Sequence, residues 1–563
     1  MGRRRRRPTA HHLIRHHSTD PEETMTTEIS PPDSAPLAPL TITYVDDPSV
    51  VARAASEDYS LHIVPRSWRS SRTSVAMAWF GLMSAMFFVV VGATVALAVG
   101  TIDSLIGIGM SVLAYALINS VAARFANETG TSVSLFSRVL FGRAGSAFAA
   151  ALFGLTIAYY VVAEGSIVAS ALKAYFGVLP MAFWFLVVVL YQAPLAWRGV
   201  TTWLDKLNGL LLPLYALGLV GSVVWAIVKY GYHNEWLTYT PKSASSLGVP
   251  GWWYAFVVYM GVWVVTMMVW DFARFGRPQD AKVNGRTTFG APFYVVTLLV
   301  NAMVGIFLAQ TITISGALSE NSAILGVVGM MGIWGLAWVL VSQTRVNSGN
   351  FYLSSTNFQN FFARTMKFSM PRTFWVVVVA VLVYLMMLTN VLSWIVVALQ
   401  YQGVLIVGWV AVALTHILWM RLRRIPTDSL EFRPGRVPAV NPAGLGAWGV
   451  SAAIGVPMVA FGGTAGAVWA PPAAFVVAGL LYAVALRFSR PGWFTMARPH
   501  DPRDEVDDVW EARIRCHRCE DSYIAFETDR DPSAAHAPIC LACASDDREF
   551  QRAAAKEAAD RLR

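Results

Sequence analysis

Four cysteines, all placed after Asp501, have the spacing most plainly suited to chemistry. Two residues separate Cys516 from Cys519, two separate Cys540 from Cys543, and twenty lie between the pairs. Two such knuckles can supply four thiolates to one tetrahedral zinc. The competing reading is free or redox-active thiols in a reducing cytosol. A segment this small has little core of its own and would need the metal to fold. Four thiolates leave no open coordination position, so the zinc would be structural, with His517 and His536 as bystanders. The charged, helix-like end from Asp546 to Arg563 reads as a docking surface for a cytosolic protein partner.

A second set of candidates lies inside apolar sequence, where an ionisable side chain costs about 3 kcal/mol on insertion scales and so marks a position with a task. Glu164, in AYYVVAEGSIVAS, follows Tyr160 by four residues and Tyr159 by five, so the three can share one helix face. Its carboxyl could carry a proton or accept a hydrogen bond from a substrate N–H; the alternative is a structural hydrogen bond to a neighbouring helix. Arg345 sits in WVLVSQTRVNSGNFYLSS among Ser342, Gln343, Thr344, Asn347, Ser348 and Asn350. A helix starting near Leu325 would let Arg345 snorkel to the cytosolic end, whereas one starting near Gly332 would hold it near the midplane, facing protein or water. Asp271 reads as a helix cap or a partner of a loop arginine. Gly81 and Ser84 in one apolar block and Gly261 in another would mark interrupted helices at matching points of two inverted halves, or only close packing.

The elements that must position these residues follow from composition. Of 563 residues, 55% are hydrophobic and 14% charged, against about 25% charged in soluble domains. Apolar blocks near twenty residues long give about twelve transmembrane spans. The first six are expected over Val75–Gly100, Ile102–Ala123, Ser146–Phe176, Met181–Trp197, Leu207–Lys229 and Trp252–Asp271. The others follow at Ala291–Gly316, Leu325–Phe361, Phe374–Asn390, Val391–Met420, Ala447–Thr464 and Val468–Phe488. Alternate connections carry Arg124, Arg138 and Arg143; Arg198 and Lys206; Arg274, Arg277, Lys282 and Arg286; Arg364, Lys367 and Arg372; and Arg421 to Arg436, while those between them are nearly bare apart from Lys229 and Lys242. Retention of positive charge in the cytosol then leads us to expect a bacterial inner-membrane protein with both ends in the cytosol. Scattered in this way, the net charge of +9 speaks for topology and against nucleic acid. Three regions are expected: a disordered cytosolic tail over 1–63, a transmembrane domain over 64–490 and a cysteine-bearing cytosolic tail over 491–563. Arg3 to Arg7 could touch anionic lipid headgroups, although a solvated tail is the preferred reading.

Val64 to Gly81 (VPRSWRSSRTSVAMAWFG), Val269 to Asp280 (VWDFARFGRPQD) and Ser342 to Arg364 (SQTRVNSGNFYLSSTNFQNFFAR) resemble the purine-cytosine permease group of nucleobase:cation symporters, and the resemblance extends over roughly Val64 to Pro499. It implies an all-α, leucine-transporter-like fold of two inverted five-helix repeats plus two helices, with alternating access around a site between the first, third, sixth and eighth spans. It also implies a planar nitrogen heterocycle of purine, cytosine, hydantoin or allantoin type, sandwiched by aromatics and read by amides. Tyr159 stands at the position of a stacking tryptophan, Trp263 near the second aromatic and Asn350 at the ring-edge amide, with Asn347 as helper. Sodium-coupled members carry small hydroxyl residues five or six positions before that amide; this chain has Thr344 and Arg345 there. A fixed guanidinium would take the ion's place, leaving Glu164 to couple transport to protons. Ala163 or Glu164 also replaces the group's usual third-span glutamine.

The functional expectation is therefore secondary active import of such a heterocycle. The alternative is a membrane ligand sensor that signals through the cysteine-bearing tail. An enzyme is not expected, since no nucleophile, base and orienting group recur together in a motif.

Overall fold

A computed structural model of the chain describes residues 37–56, 59–197, 203–241, 248–312, 322–366, 368, 370–389 and 395–561. Arg3 to Arg7, Arg198, Lys242, Lys367 and the span ends expected at 313–316 and 390–394 lie outside the described residues. Among the described residues, eight helices are long and apolar enough to cross a membrane. Two shorter apolar helices (Met181–Ala196 and Arg372–Leu388), a first span bent by 43° between Arg72–Ser84 and Met86–Val99, and the polar helix Ile333–Thr365 bring the candidate spans among the described residues to twelve. They are numbered here in chain order.

Two expected boundaries move for identifiable reasons. The third span runs over Val133–Phe176 rather than from Ser146, with a kink at Gly142. There φ is +77°, and an added Cβ would lie 2.8 Å from the carbonyl oxygen of Pro438, so only glycine fits. Arg138 and Arg143 gave this stretch the look of a loop, yet Arg138 is buried and donates to the Phe432 carbonyl at 3.4 Å and to Ser545 Oγ at 2.9 Å. The long eighth segment divides at Gly332, where φ is +59°, into Ser322–Met331 and Ile333–Thr365. The sixth span is also interrupted, with Gly251–Met260 ending at Gly261 and Val264–Ala273 resuming after Trp263.

Small residues set the closest helix approaches. A Cβ on Gly305 of the seventh span would collide with the Val89 carbonyl of the first, and one on Gly92 would meet the backbone of Ala302. Without a hydrophobic force between helices in lipid, such backbone proximity is what holds a pair together.

The tail forms a small lobe. Strands β1 (Ile42–Thr43), β2 (Arg513–Arg515) and β3 (Ser522–Ile524) make one antiparallel sheet, and β4 (Asp529–Asp531) pairs with β5 (Ala537–Ile539). Two helices, Leu541–Asp546 and Arg548–Asp560, follow. Residues 37–63, expected to be disordered, are folded where described, because their polar side chains find fixed partners. Asp46 accepts from Arg513 at 2.6 Å, Arg53 meets Asp521 at 2.7 Å, and Glu527 accepts from the Ile63 backbone N–H at 2.8 Å while His62 Nδ1 lies 2.7 Å from it. Since β1 is an edge of the tail's own sheet, the leading segment and the tail lie at the same end of the bundle, as an even number of spans requires. The terminal helix turns Phe550, Ala554 and Ala558, four residues apart, into the lobe. That apolar stripe is used within the chain.

Charged contacts seat the lobe on the arginine-rich end of the bundle. Arg433, in the connection between the tenth and eleventh spans, reaches Glu431 and Asp501 at 2.6 Å each and donates to the Thr528 carbonyl at 2.9 Å. Asp529 accepts from Arg436 at 3.0 Å and Arg498 at 2.7 Å. Burial pushes the carboxyls of Glu431 and Asp501 up, but the neighbouring arginines outweigh it. Arg433 and Arg503 hold Glu431 at about 2, and Arg433 and Arg436 hold Asp501 well below the usual range. Carboxyls with depressed folded-state values lend stability above their unfolded values and lose it on acidification. The lobe should stay seated above about pH 5 and loosen progressively as pH falls towards 2, read as protease sensitivity of the tail in the purified protein. Arg433→Met should weaken seating by about 3–5 kcal/mol, because it strands buried carboxylates without their cation.

Candidate functional site

The interruption of the first span frees backbone groups that have no water to turn to. Side chains from three other spans meet them. Arg345 Nη2 donates to the Phe80 carbonyl at 2.8 Å, Asn301 Nδ2 to Met83 at 2.9 Å, Asn208 Nδ2 to Ala78 at 3.4 Å, and Ser342 Oγ to Ser84. The Met86 N–H donates to Gln343 Oε1 at 3.4 Å, and Ser84 Oγ closes on the Gly81 carbonyl at 2.9 Å. At the sixth-span interruption, Tyr115 OH donates to the carbonyls of Met260 at 3.0 Å and Tyr259 at 3.3 Å.

Between these interruptions lies a cavity of about 40 Å³. The first span contributes Leu82, Ala85, Phe87 and Phe88; the third, Tyr160 and Glu164; the sixth, Val262, Val264, Val265 and Met268; and the eighth, Val346 and Asn350. Tyr115 from the second span and Phe293, Tyr294, Thr297 and Leu298 from the seventh complete the wall. The volume is enough for a water or so and not for a heterocycle, so the chain is closed tightly around it. Most of the wall is aromatic or aliphatic. Glu164, Thr297 and Asn350 are its principal polar members besides the tyrosines. Glu164 accepts from Gln343 Nε2 at 2.5 Å. Asn350 Nδ2 donates to Asn347 Oδ1 at 3.2 Å, while Asn350 Oδ1 and Thr297 Oγ1 are buried with no hydrogen-bond partner.

Of the residues expected from sequence, Tyr160, Glu164 and Asn350 line the cavity. Glu164 is at once a structural acceptor, from Gln343, and part of the cavity wall. The rest are placed elsewhere. Tyr159, one position from Tyr160, is rotated off the cavity face, as a helix's 3.6-residue turn dictates. Trp263 points the other way, stacking on Phe475 of the twelfth span at 5.7 Å. Gly81, Ser84 and Gly261 sit at the interruptions and shape the backbone without lining the cavity. Asn347 is taken up by bonds to Gln192 Oε1 at 2.9 Å and the Val161 carbonyl at 3.3 Å, tying the eighth span to the fourth and third. Arg345 is fully buried, as the Gly332 start requires, with its guanidinium 5.4 Å over the Tyr215 ring. Asp271 does cap a helix, but not its own: it accepts from the Val133 N–H of the third span at 3.1 Å and from Asn357 at 3.4 Å. Sequence reasoning missed Phe87, Phe88, Tyr115, Phe293, Tyr294 and Thr297, whose aromatic or hydroxyl character is commonplace in a span. Gln343, the link between the first-span interruption and Glu164, was visible only as part of a polar run.

In the lobe, Cys516 and Cys519 lie in the β2–β3 turn, while Cys540 and Cys543 follow β5. The sulfurs all lie within 4.8 Å of one another, and those of Cys519 and Cys540 are 3.9 Å apart. A tetrahedral site with bonds of about 2.3 Å implies sulfur separations of about 3.8 Å, so the cluster could hold a metal ion. Backbone N–H groups of Cys540 and Cys543 donate to Cys516 and Cys540 sulfurs at 3.3 and 3.5 Å, as suits thiolates. His517 and His536 turn to Asp531 at 3.1 Å and Glu557 at 2.7 Å instead.

No protein-family model matches the chain, and no curated protein matches its sequence. Solved structures do match its fold. Mhp1, a nucleobase-cation-symport-1 family transporter, in a closed conformation with bromovinylhydantoin bound, superposes with a TM-score of 0.62 at 16% identity, over 75% of this chain and 94% of that one. Inward-facing Mhp1 gives 0.60 at 17% identity, over 76% and 92%. A Na+-coupled sialic acid symporter in a substrate-bound, outward-open state gives 0.55 at 12% identity, over 78% and 93%. At these identities the likeness is one of fold: the chain is a multi-pass, mostly helical membrane protein with the leucine-transporter-like architecture.

The two amides of the eighth span should separate by experiment. Gln343→Ala removes the donor of a buried carboxyl and should lower the protein's stability by about 1–3 kcal/mol. Asn350→Ala removes an oxygen without a partner together with one hydrogen bond to Asn347, and should lower the thermal unfolding midpoint less than Gln343→Ala, which loses bonds to Glu164 and to the Met86 N–H.

Proposed function

We propose that this chain is a secondary active transporter that imports a planar nitrogen heterocycle, of purine, cytosine, hydantoin or allantoin type, by alternating access. The carrying observation is the unpartnered Asn350 Oδ1 at the edge of an aromatic-walled cavity between two interrupted helices. An amide oxygen buried without a donor is a standing deficit of about 1–3 kcal/mol. A ring N–H would satisfy it, with Tyr160, Phe87 or Phe88 available for the ring face and Glu164 for a second N–H. The fold shared with Mhp1, whose closed form holds a hydantoin, supports the same class of ligand.

Coupling is proposed to use protons rather than sodium. Arg345 places a fixed positive charge on the Phe80 carbonyl at the junction of the first and eighth spans. A cation there would meet that charge at short range in a poor dielectric. Glu164 is then the exchangeable proton site. The excess of arginine in the connections at the lobe end supports a bacterial inner membrane location with both ends in the cytosol. The four thiolates fit zinc, held as a structural ion with no open position.

Ligand-induced thermal stabilisation of the detergent-purified protein, across a panel of purines, pyrimidines, hydantoins and allantoin, tests the substrate class. A concentration-dependent rise is expected for one heterocycle class, equal in sodium and choline buffers and abolished in Asn350→Ala. Silence across the panel from a folded protein would overturn the substrate class. Binding without uptake in proteoliposomes would turn the reading towards a sensor. Glu164→Gln should retain exchange but lose accumulation driven by a proton gradient, and sodium-stimulated uptake would sink the coupling scheme. Zinc chelation should expose the lobe to protease while leaving heterocycle binding in place.

A further inference from the structure

We propose that a basic hollow at the lobe end of the bundle, walled by Arg66, Ser67, Arg69, Arg277 and Gln279, is a binding site for a phosphate group. The hollow has a volume of about 540 Å³. It lies where the segment leading into the first span crosses the connection leaving the sixth, joined by a hydrogen bond from the Ser70 N–H to the Phe275 carbonyl at 2.7 Å. Three guanidinium groups converge there, and their partners are mostly neutral. Arg277 Nε donates to the Arg69 carbonyl at 3.4 Å, Arg69 Nε to the Val64 carbonyl at 3.2 Å, and Arg69 Nη1 to the Asn127 carbonyl. The guanidinium carbons of Arg66 and Arg69 lie 4.5 and 5.2 Å over the Trp510 ring of the lobe.

The contrast with the other arginines of this end is what points to an anion. Arg433, Arg436, Arg498 and Arg513 each meet a carboxylate at 2.6 to 3.0 Å, and Arg530 meets Glu505. Among the described residues, no carboxylate oxygen lies within 4.0 Å of Arg69 or Arg277, and Arg66 has only Asp428 at that limit. Asp428 is itself engaged by the Trp510 indole N–H at 2.9 Å. Arg69 is 4% exposed, and its Nη2 is buried with no hydrogen-bond partner. Burial, and then the Arg66 charge beside it, draw the Arg69 guanidinium down to about 9. Guanidinium forks match the tetrahedral oxygens of a phosphate bidentately. Ser67 and Gln279 add neutral polar groups to the wall. Bound there, a phosphate would bridge the leading segment of the first span to the exit of the sixth, and so tie together the two interrupted spans.

The phosphate belongs either to an anionic lipid headgroup or to a small soluble molecule, and the test separates these. Full-length protein stripped of lipid by detergent exchange is titrated with inorganic phosphate, and separately placed in nanodiscs of phosphatidylglycerol or phosphatidylcholine, with the unfolding midpoint as readout. A double variant, Arg66→Ala with Arg277→Ala, spares the buried Arg69 and is compared with Arg423→Ala, an exposed arginine of the same end. Stabilisation by inorganic phosphate supports a soluble ligand, and stabilisation by phosphatidylglycerol alone supports a headgroup. In either case the double variant should need at least about tenfold more ligand, with Arg423→Ala unchanged. No stabilisation by either source, or an equal response in the double variant and the parent, overturns the site. Native mass spectrometry counting retained phosphatidylglycerol checks the headgroup arm independently: one fewer bound lipid in the double variant is expected, and an unchanged count refutes it.

Discussion

Everything at the centre of this protein depends on one constraint: a helix interrupted inside a membrane must have its freed backbone groups satisfied by protein. Between Ala78 and Met86 the first span gives up part of its own hydrogen bonding, and Asn208, Asn301, Ser342, Gln343 and Arg345 replace it. Three of these five come from consecutive or near-consecutive positions of the eighth span. Part of that span's polarity is thus accounted for by the first-span backbone it serves. The same residues fix where the interruption falls, so the cavity's position and its polar wall have a common origin. Gln343 makes the connection explicit, with its oxygen on the first-span backbone and its nitrogen on the Glu164 carboxyl.

The distribution of polar atoms along the cavity follows from that arrangement. Most of the amides in the neighbourhood are committed on both sides: Asn347 donates through its nitrogen to Gln192 and Val161 and accepts at its oxygen from Asn350, and Asn301 donates to Met83 and accepts from the Tyr215 hydroxyl at 2.6 Å. Asn350 is satisfied on one side only. A close-packed region in which only Asn350 Oδ1 and Thr297 Oγ1 of the cavity wall lack a partner is a more selective surface than a generally polar one, because a ligand has few ways to complete it.

The sequence made the outline of this architecture readable because lipid enforces blocks of apolar residues whose length is set by the bilayer. The span count, the matched glycines and the cysteine knuckles follow from such rules. Less was readable where a residue's direction matters more than its type. Tyr159 and Tyr160 are indistinguishable as side chains, and only the helix phase decides which faces the cavity. Trp263 was expected to face the site because aromatics do so in the group the chain resembles, but the adjacent interruption turns it towards Phe475. The leading segment looked disordered for a different reason. Its residues bury little on their own, and the partners that order them, Arg513, Asp521 and Glu527, lie at the other end of the sequence.

That last separation has a consequence for how the molecule is made. Arg53 and Asp521 are 468 residues apart in sequence, and β1 is synthesised long before β2 exists to receive it. Closing so long a loop is entropically tolerable only because the helices between hold the two ends together. Until the last helix is inserted and the tail translated, β1 has no sheet to join, and a chain cut short leaves His62, Asp46 and the Ile63 amide without their partners. The seam between the two ends therefore closes last, and a closed seam distinguishes a finished protein from an incomplete one.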